Sequence, residues 1–348
     1  RERPLVIDPI IASTYIGSSD ADYGRAVVVD PQGYVYVAGH TGNSSSSFPT
    51  YATTPGSYQP EALCAREVVV SKFDPTLHTL EASTFIGGTG FDTATAMALE
   101  IGMEHEEGNH IVVAGLTTSD GVNDGCSTPP ALKFPTMAGA FDEEHNGSTD
   151  VFVLRLNDDL SSLEASTLVG RSHMEHAFEP NTDRGPDLAM DTAGNIYVAG
   201  TTYSFDFPHI PSGKELPGGY VPFQAAKNGD DDAFVVKLSN NLEQLLGWTY
   251  LGGGNEDRGT AVAAGFFDDE WHIFVSGHTE SAEDWQPSPY EQFPITAGAF
   301  DETHNSRGGA VLEDGFVSRF NSDLTILEAS TFIGGDREDH LWDMAVDQ

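Results

Sequence analysis

At 348 residues, with 39% hydrophobic residues, 37 Gly and 19 Pro, the chain can bury a large core punctuated by many turns, and no apolar run reaches the length of a membrane span. Only 16 Lys plus Arg stand against 54 Asp plus Glu, a formal net charge of −38. That charge repels nucleic-acid phosphates and anionic lipid surfaces, which argues against nucleic-acid partners and membrane insertion, and it suits a chain that meets salt or divalent cations outside the cell.

The chain opens on RERPLVIDPI (1–10), which has no apolar signal core and reads as the beginning of a piece within a longer precursor. ASTYIG (12–17) then introduces a phrase that returns as ASTFIGG (82–88), ASTLVG (165–170), WTYLGGG (248–254) and ASTFIGG (329–335). Counted from Ser13, Ser83, Ser166, Trp248 and Ser330, the steps are 70, 83, 82 and 82 residues, the mark of a tandem repeat. Four complete units follow the opening phrase, at 18–88, 89–170, 171–254 and 255–335, and residues 336–348 begin another.

Each unit contains four short β-type runs in fixed order, bounded by turn residues and without helical periodicity. The first runs are RAVVVD (25–30), TAMALE (95–100), DLAMD (187–191) and TAVAA (260–264), rich in small residues as strands crowded near an axis should be. The second are YVYVAGHT, HIVVAGLT, NIYVAGTT and HIFVSGHT, beginning at Tyr34, His110, Asn195 and His272. The third begin at Glu67, Asp150, Asp232 and Asp314, and the repeated phrase itself is the fourth. Tight links such as DPQG (30–33) and DTAG (191–194) join first to second runs, and DPTL, NDDL, SNNL and NSDL join third to fourth. The link from second to third is long and carries its own theme, FPT (48–50 and 134–136), FPH (207–209) and FPI (293–295), with GSY or GAF ending at Tyr58, Phe141 and Phe300.

A four-stranded antiparallel meander repeated in tandem is the blade of a β-propeller, where equivalent environments allow each blade to keep the same residues; a β-sandwich, the main rival, has no reason to hold a long periodic identity. The expected fold is therefore all-β, a β-propeller array of four complete four-stranded blades with a single fourth strand at the N-terminal end and a single first strand (341–347) at the C-terminal end. The phrases STFIGG, xYVAGxT, FPT, GAF and DAFVxKL, recurring in order, resemble the bacterial SBBP β-propeller repeat family. The third unit departs from that pattern with GGYVPF in place of GAF, and the first with EVVV in place of DAFV. The resemblance implies a propeller of secreted or surface proteins, often within longer chains, and brings no shared catalytic residues.

In such a meander the entries to first strands and the long links emerge on one face, the functional side by expectation, because binding residues ride on loops above a rigid scaffold. An acid recurs there at each first-strand entry: Asp22, Asp92, Asp183, Asp257 and Asp339. These form a candidate Ca²⁺-binding arc around the channel mouth, since a hard cation takes six to eight oxygen ligands; the alternative is that each Asp caps its own turn. His173 and His176 form a candidate transition-metal pair, and MEHEEGNH (103–110) is a second histidine-bearing insertion. Cys64 and Cys126, in long links of consecutive units on one face, form a candidate disulfide or remain two separate thiols. No GxSxG, HExxH or phosphate-cradling loop occurs, so no catalytic residue is nominated.

These residues point to a non-enzymatic extracellular or cell-surface array with a structural, adhesive or assembly role, whose partners are other protein chains, self-assembly through open strand edges, or glycans. The competing expectation is a ligand-binding or carbohydrate-active propeller with its site on the loop-rich acidic face, with Ca²⁺ as the one cofactor considered.

Overall fold

The computed structural model describes residues 12–42, 51–63, 66–101, 108–122, 131–170, 185–282, 292–305 and 312–347. They form sixteen strands in four sheets of four, each a sequential antiparallel meander. Blade one contains β1 (Asp22–Val29), β2 (Val35–Thr41), β3 (Glu67–Phe73) and β4 (Leu80–Ile86). Blade two contains β5 (Asp92–Glu100), β6 (His110–Thr117), β7 (Asp150–Asn157) and β8 (Leu163–Val169). Blade three contains β9 (Asp187–Met190), β10 (Ile196–Thr202), β11 (Asp232–Leu238) and β12 (Leu245–Leu251). Blade four contains β13 (Asp257–Phe267), β14 (Glu270–Thr279), β15 (Asp314–Asn321) and β16 (Leu327–Ile333). No helix among the described residues is long and apolar enough to cross a membrane.

Alternation along each strand sends neighbouring residues into different cores. In β7, Val151 and Val153 join the core shared with blade three, whereas Phe152 and Leu154 join the core shared with blade one. In β11, Phe234 and Val236 face blade two while Ala233 and Val235 face blade four. Three layers of the hydrophobic interior thus lie one between each pair of successive blades, a smaller fourth cluster of Tyr51, Val69 and Phe85 on the outer side of blade one packs against Ile16, and β1 packs on β5, β5 on β9 and β9 on β13. Among the described residues no comparable packing joins blade four back to blade one, so the array is open.

The repeated VAGxT phrase has a steric cause. The first strands of blades one, two and four carry a bulge after their third residue, between Gly24 and Ala26, Ala94 and Ala96, and Gly259 and Ala261. The bulge pushes a carbonyl at the partner strand: a Cβ on Gly39, Gly115 or Gly277 would lie 1.9, 2.0 or 1.8 Å from the carbonyl oxygen of Tyr23, Thr93 or Arg258. Only glycine fits there.

The segments at the two ends, expected as single strands, lie beside the outermost blades without a strand partner among the described residues. Residues 12–17 and 340–347 carry no strand ladder. Their positions nonetheless follow the array. The Asp339 amide donates to the Glu313 carbonyl at 2.8 Å, as Asp92 does to Arg66 (3.2 Å) and Asp257 to Asp231 (2.8 Å). Thr260 Oγ1 donates to the Leu341 carbonyl at 2.6 Å, as Thr95 Oγ1 does to Pro186 at 2.6 Å. The C-terminal tail therefore lies on blade four where the first strand of a following blade belongs.

Successive blades are joined by three further devices that recur. Backbone amides of Tyr58, Phe141 and Phe223 donate to the carbonyls of Leu160, Leu242 and Leu324 in the next blade, at 3.0, 2.8 and 3.1 Å. Those leucines hold the left-handed turn conformation (φ 56°, 57° and 60°) with side chains fully buried in the shared cores. A cation of the third strand reaches the next blade's last turn, Lys72 to Asp158 at 2.6 Å and Lys237 to Asp323 at 3.2 Å, with Arg155 donating to Asn240 at 2.9 Å.

Candidate functional site

The once-per-unit Asp stands at the head of β1, β5 and β13, and at residue 339 of the tail. In every described copy it closes the turn leaving the preceding fourth-strand phrase. The Ser18, Gly88, Gly253 and Gly335 amides donate to Oδ2 of Asp22, Asp92, Asp257 and Asp339 at 2.5, 2.9, 2.6 and 2.7 Å. Hydroxyls at the end of the unit's own second strand take the remaining lone pairs. Thr117 donates to Asp92 at 2.5 Å and Ser119 at 2.9 and 3.1 Å; Thr279 and Ser281 clasp Asp257 in the same way, and Thr41 holds Asp22. Asp92 and Asp257 are fully buried, and burial pushes the Asp257 carboxyl well above the usual range while the Thr279, Gly253 and Ser281 donors oppose it. Each described Asp is therefore a clasp on the turn by which the chain enters its blade. Asp183, His173, His176, Cys64 and Cys126 lie outside the described residues.

Two features escaped sequence reading. The first is the Thr-x-Ser that ends the second strands of blades two, three and four, at Thr117–Ser119, Thr202–Ser204 and Thr279–Ser281, the hydroxyl half of the clasp. The second is another acid series, Glu67, Asp150, Asp232 and Asp314, heading the third strands and fully buried. These accept from the end of the long link: Asn146, Asn228 and Asn305 amides donate to Asp150, Asp232 and Asp314 at 2.9, 3.0 and 2.7 Å. They also explain a glycine of the repeated phrase, since a Cβ on Gly170, Gly252 or Gly334 would lie 2.3, 2.6 or 2.7 Å from the carboxyl carbon of Asp150, Asp232 or Asp314. The D of DAFV was visible in every full unit but one, and its register against GG was the available signal.

Among the described residues, three acids lie close enough to share an ion, and none belongs to the Asp series. Glu256 precedes β13, Glu280 follows β14 and Glu313 precedes β15; one carboxylate oxygen from each lies within 4.8 Å of the others. Arg258 is their cation, with Nη2 2.5 Å from Glu256, Nη1 3.9 Å from Glu313 and Nε 3.4 Å from buried Asp231. His340 of the tail pairs with Glu313, and its ring lies 4.6 Å from that of His278 and 5.0 Å from Trp342. Burial, then repulsion by Glu256 and Glu313, raises Glu280 to about 7. One guanidinium thus faces four carboxyl groups, with His278 and His340 beside Glu313, and burial with repulsion among the acids favours the protonated form of Glu280.

Meanders in tandem, cores shared between neighbours and a clasp repeated at each blade entry define an array of β-propeller blades. The SBBP β-propeller repeat model matches residues 13–45 and 166–208. Comparison with curated proteins gives no match.

Proposed function

We propose that the array is a non-enzymatic structural and adhesive module of the cell surface or extracellular space. The observation that carries this reading is where the repeated polar residues go: in the described units both acid series clasp turns at the heads of their strands, and the third-strand cations Lys72, Arg155 and Lys237 join neighbouring blades. Such residues hold a rigid body together, and contacts are left to the loops that differ between units and to the strongly acidic surface. The test is attachment. Purified array added to cells lacking their own copy should bind the surface and restore adhesion; binding no greater than that of an unrelated acidic protein removes the adhesive role.

The crowding of Glu256, Glu280 and Glu313 favours a second reading, a ligand-binding array that takes a cation such as Ca²⁺, or a cationic or hydroxyl-rich ligand, on the loop-rich face. On that reading excess Ca²⁺ raises the melting midpoint and Glu280→Gln abolishes the rise; an unmoved midpoint eliminates the cation.

A further inference from the structure

Every second residue of β2 faces blade two, with Tyr36 and Ala38 inside the shared core and His40 beyond them at its loop-rich edge. The ladder sets His40 opposite Tyr23 as it sets Leu116 opposite Thr93 and His278 opposite Arg258. In blade two this place is hydrocarbon, Leu116 completing the core with blade three. In blade one it is an imidazole with no exposed surface, and among the described residues neither Nδ1 nor Nε2 has a hydrogen-bond partner. A buried polar ring left so costs stability that leucine would not. The ring stacks on Tyr23 with centroids 4.8 Å apart, Arg25 Cζ lies 5.2 Å from the Tyr23 centroid, and Arg66 Cζ lies 5.4 Å from that of Phe91 in blade two. Burial first, then the Arg66 and Arg25 guanidiniums, lowers the imidazole to about 3, so near neutral pH it carries one N–H and no charge. Tyr23 and Phe91 are 37% and 43% exposed, so the corner opens onto the loop-rich face at the seam of blades one and two.

Blade four carries the same corner with one charge reversed. Arg66 and Glu313 hold equivalent places, each just before a third strand and each with its carbonyl accepting from the next clasp Asp, at 3.2 and 2.8 Å. Glu313 Oε1 stands 3.9 Å from His278 Nε2 and 3.9 Å from Arg258 Nη1, so blade four brings a carboxylate of its own to its histidine and arginine. Blade one brings a second guanidinium instead. We propose that the His40 corner binds a carboxylate from outside, that of an acidic sugar, with Arg25 and Arg66 taking the anion, the His40 N–H donating to it, and the Tyr23 and Phe91 rings packing on the sugar. The inference rests on the reading of the array as an adhesive module and supplies the group it recognises. The planar fork of a guanidinium matches a carboxylate, and ring faces beside a few convergent polar groups fix the orientation of a small ligand. The net charge of −38 narrows the class further: polyphosphates and densely sulfated chains are repelled, whereas one carboxylate on an otherwise neutral glycan meets little repulsion.

Titration of the full chain with glucuronate, followed through the His40 ring protons by NMR, tests the idea, with glucose and acetate as the two halves of the probe. Glucuronate should shift the His40 signals at roughly 1 to 10 mM and bind about tenfold more tightly than either half. His40→Leu, which places in blade one the residue blade two already holds, should melt at or above the wild-type midpoint and lose about tenfold in glucuronate affinity measured by calorimetry, and Arg66→Gln should lose as much. No glucuronate binding up to about 100 mM, or affinity unchanged in both variants, overturns the proposal. Acetate binding as tightly as glucuronate overturns the sugar, since the two rings then add nothing. An array that attaches to cells without binding glucuronate loses this site and keeps the adhesive reading; one that binds glucuronate without attaching keeps the site and loses the adhesive role.

Discussion

Lys72 of blade one reaches Asp158 of blade two at 2.6 Å, and the same carboxylate accepts from Tyr36 Oη at 2.5 Å. Lys72 and Tyr36 are buried, and burial followed by the hydrogen bond to Asp158 raises the Tyr36 hydroxyl far above its usual value. Asp158→Ala strands an ammonium in a nearly closed space. The side chain of Asp158 is itself 36% exposed, which moderates the loss, so we expect destabilisation of about 1 to 3 kcal/mol by denaturant titration. Lys72→Met combined with Asp158→Leu should recover part of it.

The clasp residues should divide by how much they hold. Asp257 is buried and receives Gly253, Thr279 and Ser281, so Asp257→Ala leaves several inward-facing donors unmatched and should cost about 2 to 4 kcal/mol. Asp339 caps Gly335 at the edge of the array, and Asp339→Ala should cost at most about 1 kcal/mol. Equal effects of the two changes would contradict the clasp as described.

Positive-φ leucines give a paired test. A left-handed conformation costs a non-glycine residue roughly 1 to 2 kcal/mol, and burying leucine returns about 1.5 to 3. Leu160 is fully buried in the core of blades one and two, so Leu160→Gly should destabilise by up to about 2 kcal/mol after the relief of strain. Leu77 holds the same conformation at the open end without joining a core cluster, and Leu77→Gly should be neutral or stabilising by up to about 1 kcal/mol. Thermal melts of the two variants decide it.

Stability should fall as pH rises through neutrality. Glu280 is raised from 4.5 to about 7, and burial first of all raises Asp187 and Asp231 from 3.8 to about 6. A carboxyl with a folded value above its unfolded one releases its proton more readily from the unfolded chain, so its contribution is complete below the ordinary value and lost as pH climbs through the folded value. The melting midpoint should therefore be higher at pH 5 than at pH 8, and Glu280→Gln should flatten the upper part of that slope. Asp74, lowered to about 2 by the Thr76 hydroxyl and then the Thr79 amide, acts in the opposite sense and only in more acid solution.

The blades were legible because the repeat fixed them: a strand at Val35–Thr41 recurs at Ile196–Thr202 with the same VAGxT, and equivalent places in an array demand equivalent residues. At the N-terminal end ASTYIG at 12–17 repeats the fourth-strand phrase, and a ladder needs a neighbour that the described residues do not contain. At the candidate site the Asp series was visible as a pattern, while its donors lay distant in sequence, with Thr117 and Ser119 meeting Asp92 across the hairpin. Glu256, Glu280 and Glu313 belong to no repeated phrase, and folding alone brings them together.

Because Phe152 and Val153 serve opposite neighbours, the unit that buries apolar surface is the seam between blades. Adding or deleting one whole unit creates or removes one seam and leaves every other seam as it was, whereas a single inserted residue in β7 exchanges the two sides of the strand and spoils two seams together. Lineages of this array are thus free to vary in steps of about 80 residues, and are held almost rigid against steps of one.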